Sequence, residues 1–222
     1  LRFCSIKYSI NYNFLDDFLP FNKKIEYKKS DFYTLKEFKT FIKGFDNYLY
    51  KTFFEFMFYT GCRPGEAMAI KVRDLNDNFI TINKTIDEHG KRELGTPKTQ
   101  SSNRVIYISD KLKKDLIKLI GSYDCMSLDY FVFGGEKPLA PTTINRYKLK
   151  ACTKANIRPI TLHQFRHSHA TLLLNNDIDI HVISNRLGHS RVSTTLDIYT
   201  HGNLEQEKRL MKSLNSVKFN LF

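Results

Sequence analysis

The sequence predicts a mixed fold, mainly α-helical with one small antiparallel β-sheet. Capped segments with helical periodicity recur along most of the chain, two short β-branched stretches alternate with period two, and no strand–helix–strand alternation follows them. At 222 residues with 41% hydrophobic content, the chain is long enough to bury a sizeable core and too apolar to be disordered.

Taken in order, residues 1–12 place Phe3, Ile6 and Ile10 on one helical face, as the last helix of a preceding domain would. Residues 16–30 carry charge, Pro20 and two lysine pairs (Lys23, Lys24 and Lys28, Lys29), which reads as a linker. The expected organisation is therefore a remnant plus linker over residues 1–25 and one principal domain over 26–222. Leu1 in the first position adds the expectation of sequence upstream.

Thr34 with Glu37 is a capping-box pair that opens a helix with Leu35, Phe38, Phe41 and Ile42 inward, and Gly44 is expected to end it. A second helix near 46–60 is almost continuously apolar and so buried on most sides, with Gly61 as its stop. The Phe-rich run at 53–58 then reads as core and not as a base-stacking platform. Pro64 suits the first position of the next helix, where its missing N–H is no loss. Residues 79–83 (FITIN) and 104–108 (RVIYI) alternate as strands, with a turn signal at His89-Gly90 between strand-like runs. Helices are expected at about 110–120, 142–154, 161–174, 179–187, 193–200 and 203–215.

Lys and Arg number 35 against 23 Asp and Glu, a net charge of +12, which favours a polyanionic partner through counterion release. The plainer alternative is a merely basic protein. Cys4, Cys62, Cys125 and Cys152 form no C-x-x-C pair, so neither a structural zinc site nor a disulfide framework is indicated, and a reducing, cytoplasmic compartment fits. No apolar run reaches membrane-spanning length.

The segment ITLHQFRHSHATLLL holds the most chemistry. Thr161 and Gln164 form a second capping box, which puts His163 and Arg166 in the first turns of one helix and on one face. The positive end of that helix favours an anion, and a phosphate is the natural guest. Further along, Gly188 caps a helix and leaves His189 on the turn beyond, while Ser193 is placed to cap the helix carrying Tyr199. Arg63 stands at a helix start in TGCRPGE, and Lys98 on the approach to a strand in TPKTQSSNR.

Together these stretches resemble the tyrosine recombinase (phage integrase) family over roughly residues 30–215. That family's signature is an early Arg, a hairpin Lys, H-x-x-R, a later His or Trp and a C-terminal Tyr. In this sequence the matches are Arg63, Lys98, His163 with Arg166, His189 in the LGH box, and Tyr199 ten residues on, all in order. H-x-x-R alone is weak; the ordered set is specific. Cys62 departs from the usual apolar residue and is expected simply to pack.

The resemblance implies the integrase-like catalytic fold over residues 26–222, with 1–25 ending a core-DNA-binding domain. It also implies double-stranded DNA as partner, strand exchange through a 3′-phosphotyrosine, and a bacterial or phage, nucleoid-associated setting. Physical chemistry agrees with the residue types. A tyrosine with a pKa of about 10 is a poor nucleophile until the phosphorus is made electrophilic. Arg63 and Arg166 can fork onto the non-bridging oxygens, His163 and His189 can donate further bonds, and His163 is the better acceptor for the tyrosine proton. Lys98 is the expected acid for the departing 5′-oxygen, and Glu66 is expected to orient Arg63.

No cofactor or metal is expected, and the sequence shows no phosphate-binding G-x-x-x-x-G-K-[ST] loop. His163 and His167 have the spacing of a zinc pair, but Gln164 stands where a metallohydrolase needs Glu and Arg166 would repel a cation. His167 and His169 are expected to be structural. Integration or excision of a mobile element is the leading expectation. A chromosome-dimer resolvase of the same family, a type IB topoisomerase-like enzyme and a non-catalytic DNA-binding protein stand as alternatives. The family resemblance further suggests a homo-oligomer on DNA, a tetramer, with directionality factors. Residues 203–215 read as a helix and 217–222 (VKFNLF) as a strand, a tail that would exchange between protomers or complete its own domain's sheet.

Overall fold

The structure, a computed structural model, describes residues 32–86, 94–95, 103–123 and 127–189, together with Ser193 and Thr195. The expected domain boundary, the His89-Gly90 turn and the 203–222 tail lie outside the described residues. The helices are α1 (Leu35–Ile42), α2 (Tyr48–Thr60), α3 (Pro64–Ala69), α4 (Asp110–Ile120), α5 (Pro141–Lys154), α6 (Leu162–Leu174) and α7 (Ile180–Leu187). Between α3 and α4 run a 3-10 turn (Val72–Asp74) and strands β1 (Leu75–Asn76), β2 (Phe79–Ile82), β3 (Thr85–Ile86), β4 (Leu94–Gly95) and β5 (Arg104–Tyr107). The mainly helical fold with a small antiparallel sheet is therefore observed.

Local chemistry sets most of the boundaries. The Thr34 hydroxyl accepts from the Glu37 N–H while the Glu37 carboxylate takes the Thr34 N–H, and Thr161 and Gln164 repeat the arrangement at the start of α6. Caps of this kind contribute about 1 kcal/mol each. Pro64 occupies the first turn of α3, as expected. Gly61 ends α2 with a φ of 68°, a left-handed conformation that other residues adopt at a cost. Gly44 acts differently from expectation. α1 already closes at Lys43, and a Cβ on Gly44 would lie 2.3 Å from the Ala151 carbonyl oxygen, so the glycine admits the close passage of α5.

α2 runs through the core with Phe53, Phe54, Phe56, Met57 and Phe58 fully buried. Phe58 stacks on Phe38 of α1 with ring centroids 3.7 Å apart, and Phe54 meets Phe41 at 5.3 Å and Phe165 of α6 at 5.1 Å. Each buried Phe contributes on the order of 1.5–3 kcal/mol by removal of apolar surface from water. The Phe-rich run is thus core, and Cys62 is buried beside it as expected.

The sheet has the order β1-β2-β5, antiparallel throughout, with Phe79 opposite Tyr107, Ile80 opposite Ile106 and Ile82 opposite Arg104. Ile80, Ile82 and Ile106 face inward, whereas Val105 and Tyr107 face solvent. A slip of one residue would reverse these faces, so burial fixes the register that puts Arg104 at its inner end. β3 and β4 pair separately, Ile86 opposite Leu94.

Candidate active site

The site is built where α2 ends, α3 begins and α6, α7 and β5 converge. The left-handed turn at Gly61 leaves its carbonyl free to accept from Arg166 Nη1 at 3.0 Å. Two residues on, Arg63 caps α3, and Glu66 completes the turn by accepting the Arg63 N–H at 2.9 Å and Arg63 Nη1 at 2.8 Å. Glu66 therefore orients Arg63, as the sequence suggests. Arg63 Nη2 also reaches the Gly188 carbonyl at 3.3 Å, joining the start of α3 to the end of α7.

Glu66 is almost fully enclosed and serves a second guanidinium, one that sequence reasoning missed. Arg104 Nη2 and Nη1 donate to its two oxygens at 2.8 and 3.1 Å, and Arg104 Nε donates to the Arg186 carbonyl at 2.7 Å. Burial would push the Glu66 carboxyl up, but the Arg104 bond and charge and the Arg63 contacts outweigh it and hold it below its usual range. The available signal was an arginine at the end of an alternating strand, whose inward face normally excludes charge.

Arg186 is a further residue that sequence reasoning missed. Its guanidinium donates to His169 Nε2 and to the carbonyls of Tyr59 and Tyr107, all at 3.1 Å, and so ties α7 to α6, α2 and β5. His169 is structural, as expected. Burial, with Arg186 next, lowers its pKa to about 3, so it stays neutral.

Arg166 is 5% exposed, and its Nη2 has no hydrogen-bond partner among the described residues. Burial pushes its pKa down to about 9, and the positive charges of Arg63 and Arg104 add to the effect while Glu66 opposes it. Three guanidinium groups thus gather near one carboxylate, which bonds Arg63 and Arg104 while Arg166 feels only its charge, an arrangement short of an anion.

His189 follows Gly188, whose φ of 70° turns the chain out of α7. Its Nδ1 lies 2.8 Å from the Thr195 hydroxyl, and its pKa is lowered to about 4 by burial and then by Arg166, Arg63, Arg104 and His167. His163 and His167 are exposed on the first turns of α6, with His163 three residues from Arg166. Ser193, expected as a cap, is itself helical. Of the six residues expected to carry the chemistry, Arg63, Arg166 and His189 are brought together and His163 lies on the same helix as Arg166. Lys98 and Tyr199 lie outside the described residues. Among the described residues no group of three or more His, Cys, Asp or Glu is placed to hold a metal ion, and no helix is long and apolar enough to cross a membrane.

Known proteins resemble this chain in sequence and in fold. The ICEBs1 integrase of Bacillus subtilis (strain 168) is 33% identical over 208 residues, covering 86% of this chain and 55% of that protein. The chain spans about half the length of the curated relatives it matches. The crystal structure of XerA recombinase superposes with a TM-score of 0.65 at 26% identity, covering 85% of this chain and 66% of that one. A Tn1549 transposon integrase, solved in complex with transposon right end DNA, shares the fold with a TM-score of 0.68 at 19% identity, covering 91% of this chain and 70% of that one. The profile of the phage integrase family matches residues 32–206. The chain belongs to the phage integrase, or tyrosine recombinase, family and has its mainly helical catalytic fold.

Proposed function

We propose that this chain is the catalytic portion of a site-specific DNA recombinase that integrates and excises a mobile element through a phosphotyrosine at Tyr199. The observation that carries it is the buried, half-satisfied guanidinium of Arg166 beside Arg63 and Arg104. A phosphodiester there would complete the hydrogen bonding of Arg166 and offset the excess positive charge, and both gains grow as charge builds on the non-bridging oxygens. The mobile-element role is supported by two relatives, the ICEBs1 integrase and the integrase of Staphylococcus phage L54a.

In this function Tyr199 Oη attacks phosphorus while its proton passes to His163. The bond from phosphorus to the 5′-oxygen breaks, and Lys98 gives that oxygen a proton. Arg63 and Arg166 hold the non-bridging oxygens. The phosphotyrosyl ester retains the bond energy of the phosphodiester, so a 5′-hydroxyl from another strand reverses the step and no nucleotide cofactor is consumed. Double-stranded DNA is the proposed partner, supported by relatives solved on DNA, among them a lambda integrase dimer on a core site. Assembly as a tetramer with exchange of residues 203–222, accessory directionality factors and residence at the bacterial nucleoid complete the proposal.

The test is incubation of the full chain with nicked duplexes carrying a randomised core, read as a protein–DNA adduct on a denaturing gel. Adduct should form in excess chelator and vanish in Tyr199→Phe with DNA binding retained. Adduct from the Phe variant would move the nucleophile to another tyrosine. Replacing the leaving oxygen by sulfur should rescue Lys98→Ala and not Arg166→Ala, and equal rescue would remove Lys98 from the acid role.

A further inference from the structure

His189 and Thr195 form the link between the turn after α7 and the segment that leads to Tyr199. Thr195 is fully buried, lies four residues before Tyr199 in the sequence, and its hydroxyl is 2.8 Å from His189 Nδ1. Among the described residues that ring nitrogen is the hydroxyl's one hydrogen-bond partner. Two arrangements are chemically possible. If Nδ1 carried the proton, the hydroxyl would accept and its own hydrogen would find no acceptor among the described residues in a dry interior, at a real cost. If the hydroxyl donates, both groups are satisfied and the ring's remaining proton must sit on Nε2.

We infer that Thr195 is a positioning residue that donates to His189 Nδ1, keeps the ring proton on Nε2, and so makes His189 a hydrogen-bond donor to the scissile phosphate. The phosphate is that of the recombinase reaction proposed above, on which this role rests. Among the described residues, the charged and titratable groups facing His189 are Arg63 at the start of α3, Arg104 on β5, and Arg166 and His167 on α6. These disfavour a second proton on the ring, so near neutral pH the tautomer alone decides whether Nε2 presents a hydrogen or a lone pair. A lone pair would repel an anionic oxygen. With the hydrogen there, His189 has no free nitrogen with which to accept the tyrosine proton, and that task falls to His163.

Long-range 1H–15N spectra of the full chain with labelled histidine report the tautomer directly, without DNA. Wild type and Thr195→Ser should both show an unprotonated Nδ1 and a protonated Nε2 on His189, and Thr195→Val should show a mixture. The buried His169 resonance serves as the monitor of folding. A wild-type ring protonated on Nδ1 would overturn the assignment, and so would a Val variant with the wild-type pattern. On nicked duplex, adduct formation should slow about tenfold in Thr195→Val, the size of one hydrogen bond, and return in Thr195→Ser. Equal rates for Val and Ser would also overturn it. Failure of the wild type to form adduct on any duplex would overturn the recombinase function and the phosphate role of His189 with it, while the tautomer still reports on Thr195.

Discussion

Phe58 and Gly61 are three residues apart, yet they belong to regions under opposite rules. Phe58 is sealed against Phe38 in an aromatic core where each ring meets several others. Gly61 gives its carbonyl to Arg166, a buried cation with a nitrogen left over, beside a Glu66 that already bonds Arg63 and Arg104. The core is satisfied without any partner, and the cluster is not. Stability is concentrated in the first region, and the second holds a charge excess in reserve for a ligand.

The sharpest way to break this contrast is to compare losses in the two regions. Phe54→Ala should destabilise by about 3–5 kcal/mol in chemical denaturation, since it opens a cavity among Phe41, Phe45 and Phe165. Glu66→Gln should cost about 3 kcal/mol, because it strands Arg104 as well as Arg63. Arg166→Met should leave stability unchanged or improved while adduct formation falls by about 10²–10³. A loss of stability as large as that of Phe54→Ala would show that Arg166 is structural and erase the distinction.

Acid provides a smaller effect. His169 and His189 have folded pKa values lowered to about 3 and about 4, against about 6.5 for an unperturbed histidine. The unfolded chain therefore binds these protons more tightly. The stability contributed by their neutral forms is complete above pH 6.5 and is lost as pH falls from there through the folded values. The melting temperature should drop over that window, and the gap between wild type and His169→Gln should narrow as pH falls. A gap that widens would contradict the neutral, buried state. Tyr107→Ser, on the solvent face of β5, should change stability least, by roughly 0.5 kcal/mol or less.

What could be read in the sequence follows from the range of the interactions. Helix limits were legible because capping is local. Thr34 and Glu37, Thr161 and Gln164, Pro64, Gly61 and Gly188 each announce an end within a few residues. Strand β1 has two residues and no period to detect, so it went unread. Gly44 was legible as a break, but its reason lies across the core at Ala151. At the site, motif order identified Arg63, Arg166 and His189. Arg104 and Arg186 act through partners 17 to 127 residues away, and their roles emerge only when β5 and α7 are packed.

Those separations carry a consequence for synthesis. Arg166 is held by a carbonyl 105 residues earlier, and Arg63 by one 125 residues later. Contacts so distant close only after the intervening chain has collapsed. On the ribosome, the aromatic partners within α1 and α2 emerge early and can begin to associate. The arginine cluster must wait until α7 and the Gly188 turn have cleared the exit tunnel. An unfinished chain is thus sticky before its arginine cluster exists, and the site proposed to grip a phosphate arrives late, with the closing of the fold itself.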